Sequence, residues 1–100
     1  MAEHEAATAF GALPSHDERG MPLRVTMLTR AKCHLCHRAA TIIDDVCERT
    51  GTAWAQVDVD DHPALLPAYG DWVPVVFVDG RQHDYWQVDP VRLTEALNSH

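Results

Sequence analysis

Apolar and polar positions alternate and then run together in Leu23-Arg24-Val25-Thr26-Met27-Leu28-Thr29, which predicts a buried strand. Arg30-Ala31-Lys32 reads as a short loop. From Cys33 the period changes to that of a helix, with Leu35, Ala39, Ile42, Ile43 and Val46 falling on one face at spacings of three and four. Thr50-Gly51 ends it, Gly51 being suited to the left-handed residue that closes a helix. Trp54 to Val59 alternates again and predicts a second strand. Asp60-Asp61-His62-Pro63 then opens a short helix carrying Leu65, Leu66 and Ala68 and stopping near Gly70. Val73-Pro74-Val75-Val76-Phe77-Val78 is the most hydrophobic strand, Asp79-Gly80 a hairpin turn, and Arg81 to Gln87 the returning strand. In the last helix Asp89 serves as N-cap, Pro90 occupies the first turn, and Leu93, Ala96 and Leu97 form the buried side.

The order β-α-β-α-β-β-α makes the first two strands parallel and the last two a hairpin. The expected product is an α/β domain: a four-stranded mixed sheet with helices on both faces. Residues 1–20 mix Ala, Gly, Ser, Glu and His without a period and predict a disordered N-terminal tail before a single domain over 21–100; Met21 is even a candidate alternative start.

Composition narrows the function. Of 100 residues 46% are hydrophobic, enough for a core without staples. Fifteen acidic against 8 basic side chains give a formal charge of −7, which argues against nucleic acid and against an anionic membrane surface. Neither a membrane span nor a basic, apolar leader is visible, so a cytoplasmic monomer is expected. Three cysteines, two of them as C-x-x-C, do not make a disulfide framework; in a reducing compartment such a pair is catalytic or metal-binding.

The place of that pair is more informative than its spacing. Cys33 stands where a buried strand gives way to a helix, beside backbone N–H groups that the helix leaves unpaired. The positive helix end favours thiolate, the form that attacks disulfides, and Arg30, Lys32, His34 and His37 add positive potential. Cys36, one turn on and more buried, is placed to attack a mixed disulfide on Cys33. Pro74 at the head of a central strand cannot donate to a ladder. In a fold of this order the loop before the third strand returns beside Cys33, where the Val73 backbone could pair with an extended substrate.

At Val25-Thr26-Met27-Leu28-Thr29, Arg30-x-x-Cys33-x-x-Cys36, Val73-Pro74 and Asp79-Gly80 the chain resembles the glutaredoxin branch of the thioredoxin superfamily, most closely its small bacterial glutaredoxin-like proteins with a Cys-x-Leu-Cys centre. The match covers about residues 22 to 98. It implies a thioredoxin-like (glutaredoxin-type) fold, a cis Pro74, Cys33 as nucleophile and Cys36 as resolving thiol. It also implies a substrate site that takes in Arg30, His34, Leu35, Trp72, Val73 and Pro74. The departures bear on the thiol partner. The inner pair is His34-Leu35 rather than Pro-Tyr, and Trp72 replaces the Thr before Val-Pro. The Gly-Gly-x-Asp-Asp segment that holds glutathione is replaced by Gln87-Val88-Asp89-Pro90. Without the glycines, backbone N–H groups are less free to form an anion nest. Arg30 matches the basic residue that pairs with a glutathione carboxylate.

The expectation is therefore a thiol–disulfide oxidoreductase acting on a protein disulfide or a low-molecular-weight thiol such as glutathione, with no bound cofactor and no metal. His34 is either a thiolate-stabilising residue or an ordinary exposed histidine. Cys47 reads as a buried core thiol, and Trp72 and Trp86 as groove walls or sheet-packing residues. Cys33 to His37 also spells C-x-x-C-H, the attachment motif of c-type haem, which does not suit a strand–helix junction. The stronger alternative is metal or iron–sulfur binding or transfer by the same cysteines, for which two thiolates need ligands from outside the chain.

Overall fold

The computed structural model describes Ser15 to Asn98. Three of its elements lead to the Cys33–Cys36 segment and hold it. These are β1 (Leu23–Thr29), α1 (His34–Thr50) and the parallel strand β2 (Ala53–Asp58). A 3-10 turn (Val59–Asp61) and a short helix α2 (Leu66–Tyr69) follow, then β3 (Val75–Val78), β4 (Arg81–Tyr85) and α3 (Pro90–Asn98). The strand order is β2-β1-β3-β4. β1 runs parallel to β2 and antiparallel to β3, and β3 pairs with β4 as a hairpin. This is the mixed sheet expected from the sequence.

The two central strands are apolar on both faces because both faces are covered. Val25, Met27, Val76 and Val78 point into one cluster with Ala39, Ile43 and Val46 of α1 and Leu93 and Leu97 of α3. Leu28, Val75 and Phe77 point into the other with Val57, Val59 and Leu65, over which Leu66 and Tyr69 of α2 pack. Tyr69 meets Phe77 edge-on at 5.6 Å. Alternating side chains thus feed two cores, and the period-2 signal vanishes from the sequence of β3 and fades at the end of β1.

Caps follow the sequence closely. Gly51 adopts φ 66° and its N–H reaches the carbonyls of Cys47 and Glu48. Asp89 Oδ1 accepts from Val91 N at 2.8 Å and Arg92 N at 3.3 Å. At the hairpin Asp79 (φ 51°) and Gly80 (φ 84°) both take the left-handed conformation that a type I′ turn requires.

Two elements differ from expectation. The second helix does not start at Asp60: Asp58 caps a single 3-10 turn, and helix resumes only at Leu66. Pro63 lacks the N–H that a helix running on from Asp60 would use there, whereas Pro67 sits in the first turn of α2, where no donor is needed. Strand β4 ends at Tyr85 instead of Gln87, because Trp86 turns to φ 63° and leaves the ladder. The part of the expected tail that is described, Ser15–Gly20, folds back before β1. Leu23 N donates to the Ser15 carbonyl at 2.9 Å, and Asp17 Oδ1 accepts from Arg19 N and Met21 N. The rest of that expectation, residues 1–14, lies outside the described residues. No described helix is long and apolar enough to cross a membrane.

Candidate redox site

Strand β1 delivers the chain to a sharp turn in which Lys32 adopts φ 61°. That turn swings Cys33 into the N-cap position of α1, with extended backbone at φ −105° and ψ 102°. The Cys33 carbonyl accepts the first helical bond, from His37 N at 3.3 Å, and its Sγ accepts a hydrogen bond from Cys36 N at 3.1 Å. A sulfur therefore occupies the place where a Ser or Asp oxygen usually caps a helix. Cys33 and Cys36 are joined in a disulfide, with Cα atoms 5.2 Å apart. In the reduced protein the same N–H groups and the helix end favour a thiolate on Cys33.

Cys36 is buried, as expected, and Cys33 is half-buried against the same cluster rather than open to solvent. Leu35 corrects a second expectation. It is 40% exposed although Ala39, Ile43 and Val46 of the same stripe are buried, because it stands in the first turn of α1, where it lines an open groove. His34 and His37 lie on the exposed side of the first turn.

Val73-Pro74 is a cis peptide bond, and Pro74 is buried at the head of β3. Val73 packs against both cores, one of which also receives Cys33. Neither the N–H nor the carbonyl of Val73 is taken by another backbone group among the described residues. Arg30 instead is engaged: its guanidinium donates to the Asp60 carboxylate at 3.0 and 3.3 Å, and that pairing raises its pKa above the ordinary value.

Beside this segment runs an open groove of about 830 Å³, lined by Leu35, Val73, Tyr85, Trp86, Asp89 and Arg92 among others. Tyr85 and Trp86 line it directly, and Trp72 backs them through ring contacts. Trp72 stacks on Trp86 at 5.4 Å, and Tyr85 meets both rings edge-on at 5.6 and 5.1 Å. All three remain more than two-fifths exposed. Trp86 is held with φ 63°, its backbone N donating to the Pro74 carbonyl at 2.8 Å and its indole Nε1 to the Asp71 carbonyl at 3.4 Å. The left-handed conformation costs a residue with a Cβ about 1–2 kcal/mol.

Trp72 was read as a groove wall or sheet-packing residue from its place before Val73-Pro74; it touches the groove-lining Tyr85 and Trp86 and does not itself line the groove. Trp86 carried the same two readings, and Tyr85 was missed, since an aromatic at the end of a predicted strand looks like sheet packing. The available clue was the broken alternation of Tyr85-Trp86-Gln87 just before the Asp89-Pro90 helix start.

The third cysteine, Cys47, is 2% exposed, and burial pushes its thiol up to about 12. It stays protonated and inert at neutral pH. Among the described residues no group of three or more His, Cys, Asp or Glu side chains comes together to hold a metal ion.

Comparison with known proteins agrees with this geometry. The family model of the glutaredoxin-like domain matches residues 24–98. The uncharacterized protein Rv0508 of Mycobacterium tuberculosis is 40% identical over 75 residues, which is 70% of this chain and 77% of the relative. The crystal structure of target protein XcR50 from X. campestris superposes with a TM-score of 0.63 at 34% identity, covering 76% of this chain and 97% of that one. A mutant thioredoxin from Halobacterium salinarum superposes with a TM-score of 0.56 at 30% identity over 75% of this chain and 71% of the other.

Proposed function

The chain belongs to the glutaredoxin-like domain family, and from that premise we propose that it is a thiol–disulfide oxidoreductase working through Cys33 and Cys36. The observation that carries the reading is the Cys33–Cys36 disulfide at the N-cap of α1, with Cys33 Sγ accepting the Cys36 N–H.

In the reducing direction the Cys33 thiolate attacks one sulfur of a substrate disulfide. The other substrate sulfur leaves with the bonding pair and takes up a proton. Cys36 then loses its proton and attacks Cys33 Sγ in the mixed disulfide. The second substrate thiol is released, and the Cys33–Cys36 disulfide forms. Two electrons have passed from the dithiol to the substrate. The free Val73 backbone suits an extended substrate segment laid down as an added strand. Leu35, Trp72 and Pro74 bound the approach to the sulfur, and His34 adds positive charge when protonated. Arg30 reaches a substrate carboxylate only by giving up Asp60. The substrate is a protein disulfide or a low-molecular-weight thiol, and the chemistry suits a reducing compartment such as the cytoplasm.

The test uses Cys33→Ser and Cys36→Ser variants against a glutathione mixed disulfide and a protein disulfide. Cys33→Ser should lose turnover on both, whereas Cys36→Ser should accumulate a mixed disulfide visible by mass spectrometry. Iodoacetamide should label Cys33 of the reduced native protein and leave Cys47 unlabelled until unfolding. If the wild type reduces neither substrate and Cys33 titrates like a free thiol near 8.5, the reading fails.

A further inference from the structure

Beside the cysteines lies a feature that disulfide exchange by itself does not require. Trp72, Tyr85 and Trp86 form a mutually packed aromatic wall that stays exposed, and Leu35 faces the same groove at 40% exposure. A monomer gains nothing from leaving three large rings in water, and contiguous apolar surface of this kind marks a binding site. Trp86 in addition stands in a conformation that glycine would adopt without cost, fixed at its backbone N and its indole N–H. Backbone strain of that sort survives where the surrounding structure enforces it, typically at ligand contacts.

The charges of the groove select the occupant. Among the described residues that line it the acidic groups are Asp84 and Asp89 and the cation is Arg92, which pairs with Asp84 at 3.3 Å; Arg38 lines the smaller cavity that adjoins it past Leu35 and Trp86. Arg30, the cation that would have met a carboxylate, is paired with Asp60 and does not line the groove. A glutathionyl group brings two carboxylates and one ammonium, a net negative charge, and meets no unpaired cation among the described residues that line this groove. An uncharged polypeptide segment meets an apolar platform and a free backbone at Val73. We propose that the groove is a subsite for an aromatic or large apolar side chain next to the reactive cysteine of a polypeptide disulfide, and that it selects such substrates over glutathione. This rests on the redox reading above and names its substrate class.

The experiment is single-turnover oxidation of the reduced protein by homodisulfides of short peptides that carry Phe, Leu, Gly or Asp beside cysteine, and by glutathione disulfide. Each event consumes the Cys33/Cys36 dithiol and yields two substrate thiols, read by mass spectrometry. The Phe peptide should react about tenfold faster than the Gly peptide, a ratio typical of one well-placed aromatic contact. The Asp peptide and glutathione disulfide should be slowest. In Trp86→Ala the Phe/Gly ratio should fall toward one, the Phe peptide losing more rate than the Gly peptide. Trp72→Phe, which keeps a ring for stacking, should retain most of the preference. Equal rates for all peptides and glutathione disulfide, in wild type and Trp86→Ala alike, overturn the subsite and leave the redox reading standing. No reaction with any disulfide removes the redox reading itself. A concentration-dependent dimer in sedimentation that Trp86→Ala abolishes would give the wall to a second copy and also overturn the proposal.

Discussion

The Asp79-Gly80 hairpin and the Trp86 bend lie at opposite ends of the same strand, and both use left-handed backbone. At the hairpin the residues suit the geometry. Gly80 has no Cβ to clash, and Asp79 is among the residues that tolerate positive φ. Around it Arg24 closes a two-pronged ion pair on the Asp79 carboxylate at 2.8 Å, and Asp79 N donates to the Arg24 carbonyl at 2.8 Å. At the other end a tryptophan takes the same conformation, and Lys32 does so one residue before Cys33. One end of the molecule is locally consistent and serves the fold. The other departs from local preference where the reactive sulfur and the groove lie, which is where such departures are expected.

The contrast can be broken most forcefully in the core that both ends share. Leu93→Ala removes a fully buried side chain under α1 and β1 and should cost about 2–5 kcal/mol in urea unfolding. Trp72→Ala, at an exposed ring, should cost about 1 kcal/mol or less. A comparable loss at both positions would mean that the aromatic wall is part of the core. Gly80→Ala comes next. It places a Cβ at φ 84° and should lower stability by about 1–2 kcal/mol without changing disulfide exchange.

A finer test compares two replacements of Trp86. Both remove the ring, so their difference isolates the backbone. Trp86→Gly should be more stable than Trp86→Ala by about 1 kcal/mol, the reverse of the usual order of these residues. An alanine variant as stable as the glycine variant would show that residue 86 is unstrained.

The smallest effect concerns His83. Its Nε2 is buried without a hydrogen-bond partner, and burial, then Arg92, lowers its pKa while Asp84 opposes them. The unfolded chain therefore binds the proton more readily than the folded one, and stability rises with pH in that range. The melting temperature should decline as pH drops below the ordinary histidine value of 6.5 toward the lower folded value. His83→Gln should flatten that decline. An unchanged slope in the variant would assign the acid sensitivity to other groups.

Most of the architecture was legible residue by residue. Val25, Met27, Val76 and Val78 announced buried central strands, Gly51 and Asp89 announced helix ends, and Asp79-Gly80 announced a hairpin. These features rest on interactions within a few residues, or on burial so general that composition reports it. Leu35 was misplaced because helical period picks the face that meets the sheet but not how far toward the helix end the covering extends. The break after Asp61 was missed because an acidic start signal ahead of Pro63 promises a continuous helix, and only the folded chain shows that it stops at Asp61 and resumes at Leu66.

By itself the sequence determined the strand–helix order and the position of Cys33 at a helix start, and with it the sulfur's electrostatic setting. Those depend on the local period and on the unpaired N–H groups of a helix end. The tertiary structure alone decided that Arg30 is spent on Asp60 and that Arg92 is spent on Asp84. It also decided that Trp72, Tyr85 and Trp86 gather into one exposed wall beside Val73. The ion pairs join residues 30 and 8 positions apart, and Trp72 meets Tyr85 and Trp86 across 13 and 14; at such separations chain closure, not local preference, sets which side chains meet.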